Sequence, residues 1–282
     1  MGSVAAVELG ADGVVRILVA NTEIGQGTHT VLPMLVGEAL GLPAAAVEIA
    51  PQDTSRVPDS GPTVASRTVM VVGGLVVTAA RRLRRTVEEA TGRPFADSAA
   101  AYAAAHGPLR IDERFQPYPG TEPFDDRTYT GDAYPAYGWA AAVAEVEVDL
   151  DTGEVRVRTV VSADDAGRIV HPVLAEGQVE GGTLQAVGYA TIEEIRLRDG
   201  RYLNDRMATY LIPTSVDAPR ITAILVEAPY AGVPHGAKGI GELPMDVVAP
   251  AIVDAIHDAT GAWIDELPAT PERILAALGV TA

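Results

Sequence analysis

Hydrophobic and polar positions change rhythm several times along this chain, and each rhythm predicts an element. Residues 4–24, VAAVELGADGVVRILVANTEI, alternate on either side of an Asp-Gly pair, the pattern of two strands around a tight turn. GQGTHTVLPMLVGEALGL then spaces its apolar residues three and four apart, predicting a helix from about Thr28. A Leu-Pro step opens AAAVEIAPQDT, which ends in a strand, and VPDSGPT (57–63) is a loop of turn formers. Residues 65–90, ASRTVMVVGGLVVTAARRLRRTVEEA, read as one long helix, with RRLRR (81–85) at its solvated C-terminal part. Residues 96–107 read as a short helix stopped by Gly107.

The rhythm is lost over 114–136, which is rich in Pro, Tyr and Asp. This is a long loop, and it sets an expected boundary between two subdomains, 1–113 and 137–282. Tyr118, Tyr129, Tyr134 and the neighbouring Tyr137 are expected to pack against a partner chain. Alternation resumes at 140–165, a hairpin joined by Asp-Thr-Gly. A glycine-punctuated helix follows at 171–194, then a strand at ITAILVEAP and helices at 247–260 and 270–279. With no internal repeat and no regular strand–helix alternation, the fold class is α+β in two mixed subdomains.

Composition narrows the function. The 282 residues are 48% hydrophobic but only 5% aromatic, so aliphatic side chains must fill the core. The net charge of −17 argues against nucleic acid or an anionic membrane as partner. The apolar run at 69–80 is too short to span a bilayer and predicts a buried helix. No secretory leader is visible in MGSVAAVELGADG, so a cytoplasmic location is expected. The absence of cysteine excludes disulfides, thiolate metal sites and Fe–S clusters carried by this chain. The five histidines lack zinc-type spacing.

Four segments concentrate glycine with amide, hydroxyl or carboxylate groups. In EIGQGTHT, Gly25 and Gly27 flank Gln26 and let a ligand approach the backbone N–H groups; the plain reading is a loop amide. In GPTVASRT, Thr63, Ser66 and Thr68 lie near a helix start, where they can hold a phosphate or simply cap the helix. Arg67 among them can meet a phosphate or stay solvated. GQVEGG places Gln178 between glycines, and HGAKGIGELP places Glu242 after Gly239 and Gly241. None matches a standard phosphate-loop or dinucleotide motif.

Taken together and in order, EIGQGTHT, PDSGPTVASRT, DDAGRIVHPVLAEGQVEGG and AKGIGELP resemble the molybdenum-cofactor subunit of the xanthine dehydrogenase and aldehyde oxidoreductase family, the molybdenum hydroxylases. The resemblance covers nearly the whole chain, but only the C-terminal part of that family's large subunit. It implies a molybdopterin cofactor, in the plain or the cytosine dinucleotide form, with molybdenum held through the pterin dithiolene and no protein ligand to the metal. It matches Gln26 to a glutamine beside the metal, Thr63, Ser66 and Thr68 to a pterin-contacting segment, and Gln178 to a further cofactor contact. Glu242 matches the catalytic glutamate, a general base for oxidation of a C–H bond with water as oxygen source. Gly239 and Gly241 would let its loop approach the metal, and Ile240 and Leu243 would desolvate the carboxylate and raise its pKa.

The same resemblance implies partners. A chain like the family's N-terminal half, an Fe–S subunit and an FAD subunit would complete the enzyme, with a small-molecule substrate, and this chain alone would be poorly soluble. Two readings remain open: the catalytic half of a split subunit, and a non-catalytic scaffold or cofactor-binding paralogue. His235, beside the glutamate loop, is a candidate second acid or a structural histidine.

Overall fold

Alternation at 4–18 sorts side chains onto the two faces of one sheet. The computed structural model describes residues 2–118 and 120–280. Strands β1 (Val4–Leu9) and β2 (Val15–Leu18) pair antiparallel around the Asp-Gly turn, with Ala6 opposite Leu18 and Leu9 opposite Val15. Helix α1 (Thr28–Leu40) starts at the expected threonine and leads to β3 (Val47–Ile49), parallel to β2. Helices α2 (Gly73–Thr91) and α3 (Phe95–His106) precede β4 (Leu109–Arg114), which lies antiparallel to β1. The strand order is β3-β2-β1-β4.

Val7, Leu9, Val15 and Ile17 share one face and close on Leu32 and Leu35 of α1, Leu83 of α2 and Phe95 of α3, all at most 2% exposed. Ala6 and Leu18 on the opposite face meet Ala50 and Val57. Each such side chain contributes roughly 1.5–3 kcal/mol on burial. The run at 69–80 is a core helix here, and no described helix is long and apolar enough to cross a membrane.

One expectation for 65–90 is corrected. Ala65 and Ser66 have φ of 53° and 51°, so the helix excludes them. Regular structure begins at Thr68 with a five-residue π turn to Val72, which feeds α2. RRLRR lies in α2 and stops within two turns of its end at Thr91, as expected, and three of its four arginines have partners: Arg82 with Glu113, Arg84 with Glu88 at 2.9 Å, and Arg81 with the Pro234 carbonyl at 3.2 Å.

Strands β5 (Ala140–Val148) and β6 (Val155–Asp165) form the expected hairpin, with a bulge after Glu145. Helix α4 (Pro172–Thr191) follows, then a small hairpin of β7 (Leu197–Arg198) and β8 (Arg201–Tyr202). Strand β9 (Arg220–Val226) joins β6 in parallel, and α5 (Leu243–Asp246), α6 (Val248–Thr260) and α7 (Pro271–Ala277) complete the order. Val160, Ala186, Ala190, Val248, Ile252, Ile256 and Ile274 form the core of this part. The other face of the β5-β6-β9 sheet carries Val143, Ile224 and Val226 exposed.

The chain divides into two units that are not contiguous. The first holds residues to Gly138, Ala166–Leu174 and Glu227–Gly239; the second holds Trp139–Asp165, Ala175–Val226 and the chain from Ile240. This differs from a division into 1–113 and 137–282 by the two returning segments and by the place of the 114–138 loop. The cause is pairing between segments distant in sequence. Gly167 bridges Ala237, the Arg168 N–H donates to the Gly236 carbonyl at 3.0 Å, and the Arg168 guanidinium meets Glu38 of α1 at 2.6 Å.

Candidate functional site

The EIGQG loop is organised by an acid that the motif pattern does not single out. Glu23 accepts hydrogen bonds from the N–H groups of Gly25, Gly27 and His29 at 2.8, 3.0 and 2.8 Å. Burial would raise its pKa, but those three donors outweigh it and hold Glu23 below the ordinary carboxylate value. The N–H groups expected to receive an anion are thus engaged by the chain's own carboxylate at the head of α1. Gly25 and Gly27, at φ 105° and 90°, supply left-handed backbone for the turn. Gln26 closes the loop on itself: its amide nitrogen donates to the Thr22 carbonyl and the Thr28 hydroxyl, both at 2.8 Å, and its oxygen accepts from the Ile24 N–H at 2.7 Å.

The GPTVASRT segment is a loop against that one, not a helix cap. Thr63 accepts from the Thr22 N–H at 3.1 Å and the Asn21 side chain at 3.4 Å. Arg67, half-buried, donates to the carbonyls of Ser60 and Pro62 at 3.1 Å each and to the Ser3 hydroxyl. Burial lowers its pKa from the ordinary value. Its guanidinium is a clamp for the 60–62 turn, which answers whether it is solvated or phosphate-facing. Arg67, the residue at the head of the helical start, makes no side-chain cap bond to it.

In the second unit, α4 and the start of α5 meet. Gly182 packs against Pro244, where an added Cβ would lie 3.0 Å from the proline Cβ. Gln178 is one helical turn before Gly182, on the same face of α4. It is half-exposed and its amide has no hydrogen-bond partner among the described residues. Its neighbours Gly177 and Gly181 are exposed, with nothing within 4 Å of an added Cβ. Glu242 precedes α5 directly, and its carbonyl accepts from the Met245 N–H at 3.0 Å. Glu242 and Gly241 are exposed, so the desolvation expected from Ile240 and Leu243 is not provided by those neighbours.

His235 is 5% exposed, and its Nδ1 accepts from the Ala237 N–H at 3.1 Å. Burial pushes its pKa down to about 4, with Arg168 and Arg81 adding to the fall. Burial and the engaged Nδ1 support the structural reading of His235 over that of a second acid. The histidine lines a cavity of about 570 Å³ with Glu38, Arg81, Arg84, Arg85 and Arg168, and none of the other candidate residues lines that cavity. Asp164 is not marked by the sequence either. It is fully buried on β6, Ser162 donates to its Oδ2 at 2.7 Å, its Oδ1 has no partner among the described residues, and burial raises its pKa. Strand alternation alone gives no hint that an acid faces inward there.

Among the described residues, no three His, Asp or Glu side chains are arranged to hold a metal ion. A metal at this site would have to be carried by a larger cofactor. The residues fit one with polar and anionic groups in part. In the second unit the half-exposed Gln178 and the open glycines on α4 can receive such groups, and in the first unit Gln26, Thr63 and Arg67 brace their own loops.

A model of a molybdopterin cofactor-binding domain matches residues 1–219. The chain is 30% identical over 283 residues to the xanthine dehydrogenase molybdenum-binding subunit of Escherichia coli O157:H7, covering 93% of this chain and 37% of that protein. It is 29% identical over 291 residues to the 6-hydroxypseudooxynicotine dehydrogenase complex subunit gamma of Paenarthrobacter nicotinovorans, covering 95% and 36%. The chain therefore spans little more than a third of these two curated relatives. Among solved structures, aldehyde oxidoreductase from Desulfovibrio gigas superposes with a TM-score of 0.88 at 29% identity, over 99% of this chain and 30% of that one. Quinoline 2-oxidoreductase from Pseudomonas putida 86 gives 0.84 at 25% identity, over 100% and 38%. The α+β fold is that of these larger oxidoreductase chains.

Proposed function

Because the chain belongs to the molybdopterin cofactor-binding family of xanthine dehydrogenase type, we propose that it is the C-terminal, cofactor-holding half of a molybdenum hydroxylase. The substrate would be an N-heterocycle or an aldehyde oxidised at a C–H bond, in keeping with the names of its relatives. When bound, the molybdenum cofactor supplies the two-electron oxidation, with water as the source of oxygen. The α4 face carrying Gln178 would hold polar groups of the cofactor, in the plain or the cytosine dinucleotide form. Glu242 would accept the proton released as the oxygen atom attacks. With no cysteine in the chain, Fe–S clusters would sit elsewhere, on a partner. A flavin subunit and a chain like the family's N-terminal half would complete the assembly, in the cytoplasm.

The observation that carries this reading is Glu242. Its carboxylate is exposed at the head of α5, and α5 is packed through Pro244 onto the helix that presents Gln178. A surface-lining acid held on a glycine loop suits proton transfer better than stability. One observation favours the scaffold reading instead: the Gln26 amide hydrogens are both engaged within their own loop. Turnover of Glu242→Gln decides. With molybdenum retained, kcat/KM should fall about 10²–10⁴-fold. Loss of less than about tenfold would remove Glu242 as the base.

A further inference from the structure

Gly239 invites the view that it is small to make room for a ligand. The space beside it is already taken by this chain. A Cβ built at Gly239 would lie 2.0 Å from the Ser66 carbonyl oxygen, 2.9 Å from the Ser66 carbonyl carbon and 2.8 Å from the Ser66 Cβ. Two of these three are backbone atoms, which cannot swing away as the end of a long side chain can. Gly241, by contrast, is exposed.

The surface that Gly239 meets is itself unusual. Ala65 and Ser66 are consecutive non-glycine residues with φ of 53° and 51°. L-residues adopt that region rarely, and such backbone persists where surrounding contacts over-determine it. Arg67 supplies such contacts directly after the turn, through its bonds to Ser60, Pro62 and Ser3. On the other side of the contact, Lys238 is fixed through its N–H to the Ala166 carbonyl at 2.9 Å and through Nζ to the Tyr137 carbonyl at 3.0 Å. Only Ile240 and Gly241 separate this anchored point from Glu242.

We propose that the left-handed Ala65–Ser66 turn is a positioning element for the glutamate loop, with Gly239 as the residue that seats on it. The turn presents the Ser66 carbonyl where any side chain at 239 would have to go, and so sets where the last residues before Glu242 begin. Gly239 and Ser66 are positioning residues and Glu242 the acting group. The inference rests on the reading of Glu242 as the base.

The test is a double-mutant cycle in the assembled enzyme, purified through a tag on this chain: Gly239→Ala, Ser66→Gly and the pair. Molybdenum content, kcat, KM, the pH profile of kcat/KM and the melting temperature are measured for each. Gly239→Ala should keep KM within about threefold while kcat falls on the order of 10²-fold, the scale of a displacement near 1 Å. The acidic limb of its pH profile should move, since the carboxylate enters a new setting. Adding Ser66→Gly removes the Ser66 Cβ and frees a backbone that glycine adopts without strain, so kcat and the acidic limb should return part of the way. A Gly239→Ala enzyme with unchanged kcat and pH profile would overturn the proposal, as would a double variant no better than Gly239→Ala. If Gly239→Ala yields no soluble complex, the double variant must restore one; failure to do so also overturns it. Should Glu242→Gln prove active, the base assignment falls, while recovery of melting temperature in the pair still reports the contact independently.

Discussion

In the first unit the polar atoms of the glycine loops are answered by the chain itself, and in the second several are not. Glu23 collects three N–H groups, Arg67 collects two carbonyls and a hydroxyl, and Thr63 ties the two loops together. In the second unit the α4 face of Gln178 stays half-exposed, with Gly177 and Gly181 open beside it. Both units leave buried polar atoms without partners among the described residues, Asn21 Oδ1 and His235 Nε2 in the first, Asp164 Oδ1 and Thr183 Oγ1 in the second. Both also expose apolar residues, Ile24 at 80% and Tyr129 at 81% in the first, Met207 at 80% and Val216 at 84% in the second. The contrast lies in the loops: those of the first unit are stiffened from within, and the α4 face of the second is left open.

The largest effects should be alike in the two units, because each has a closed aliphatic core. Leu83→Ala in the first and Ile252→Ala in the second should each cost about 2–5 kcal/mol, since both are fully buried. Trp139 and Trp263 both belong to the second unit, so their fluorescence follows Ile252→Ala selectively in urea unfolding, while circular dichroism follows both. A cost below about 1 kcal/mol for either would mean that its core is not the one described.

A slightly smaller effect is expected from pH, and it belongs to the first unit. His235 is held neutral, with a pKa near 4 instead of 6.5. Between those values the unfolded chain binds more protons than the folded one, so stability is complete above pH 6.5 and is lost as pH falls toward 4. The loss is worth about 3 kcal/mol. His235→Gln should flatten this limb of the stability curve, and an unchanged limb would assign it to other groups.

Asp164 reverses the sign in the second unit. Burial raises its pKa, so the folded form keeps a proton that the unfolded chain releases, and stability falls as pH rises toward the folded value. Asp164→Asn is neutral at every pH and should stabilise by about 1–3 kcal/mol at neutral pH, with less gain in acid. A destabilised Asn variant at pH 8 would show that the ionised acid is needed there. The smallest change in stability, within about 0.5 kcal/mol, is expected for Leu211→Gln and Val216→Thr. These should nonetheless reduce recovery of a partner chain on a tagged column. Full recovery would place the partner surface elsewhere.

The elements were largely legible in the sequence because they are written locally. The alternation at 4–18 and 140–165 and the threonine at the head of α1 needed no distant contact to interpret. The start of α2 was not legible, since Ala65 and Ser66 carry no sequence mark of left-handed backbone. Nor was the two-part division, which depends on Gly167 meeting Ala237 across a long stretch of chain. At the site, the motifs drew attention to glycine-rich segments but not to their internal bonding. Arg67, left open between a phosphate contact and a solvated residue, bonds the 60–62 turn, and Glu23, not singled out by the sequence, organises its loop. In both cases the deciding partner is a backbone group, and backbone groups have no signature in sequence.

The central claim is tested most directly by native mass spectrometry with molybdenum analysis on the complex purified through a tag on this chain. The account predicts stoichiometric molybdenum and pterin, together with a chain like the family's N-terminal half and an Fe–S protein. Recovery of this chain as a stable, metal-free monomer would contradict it.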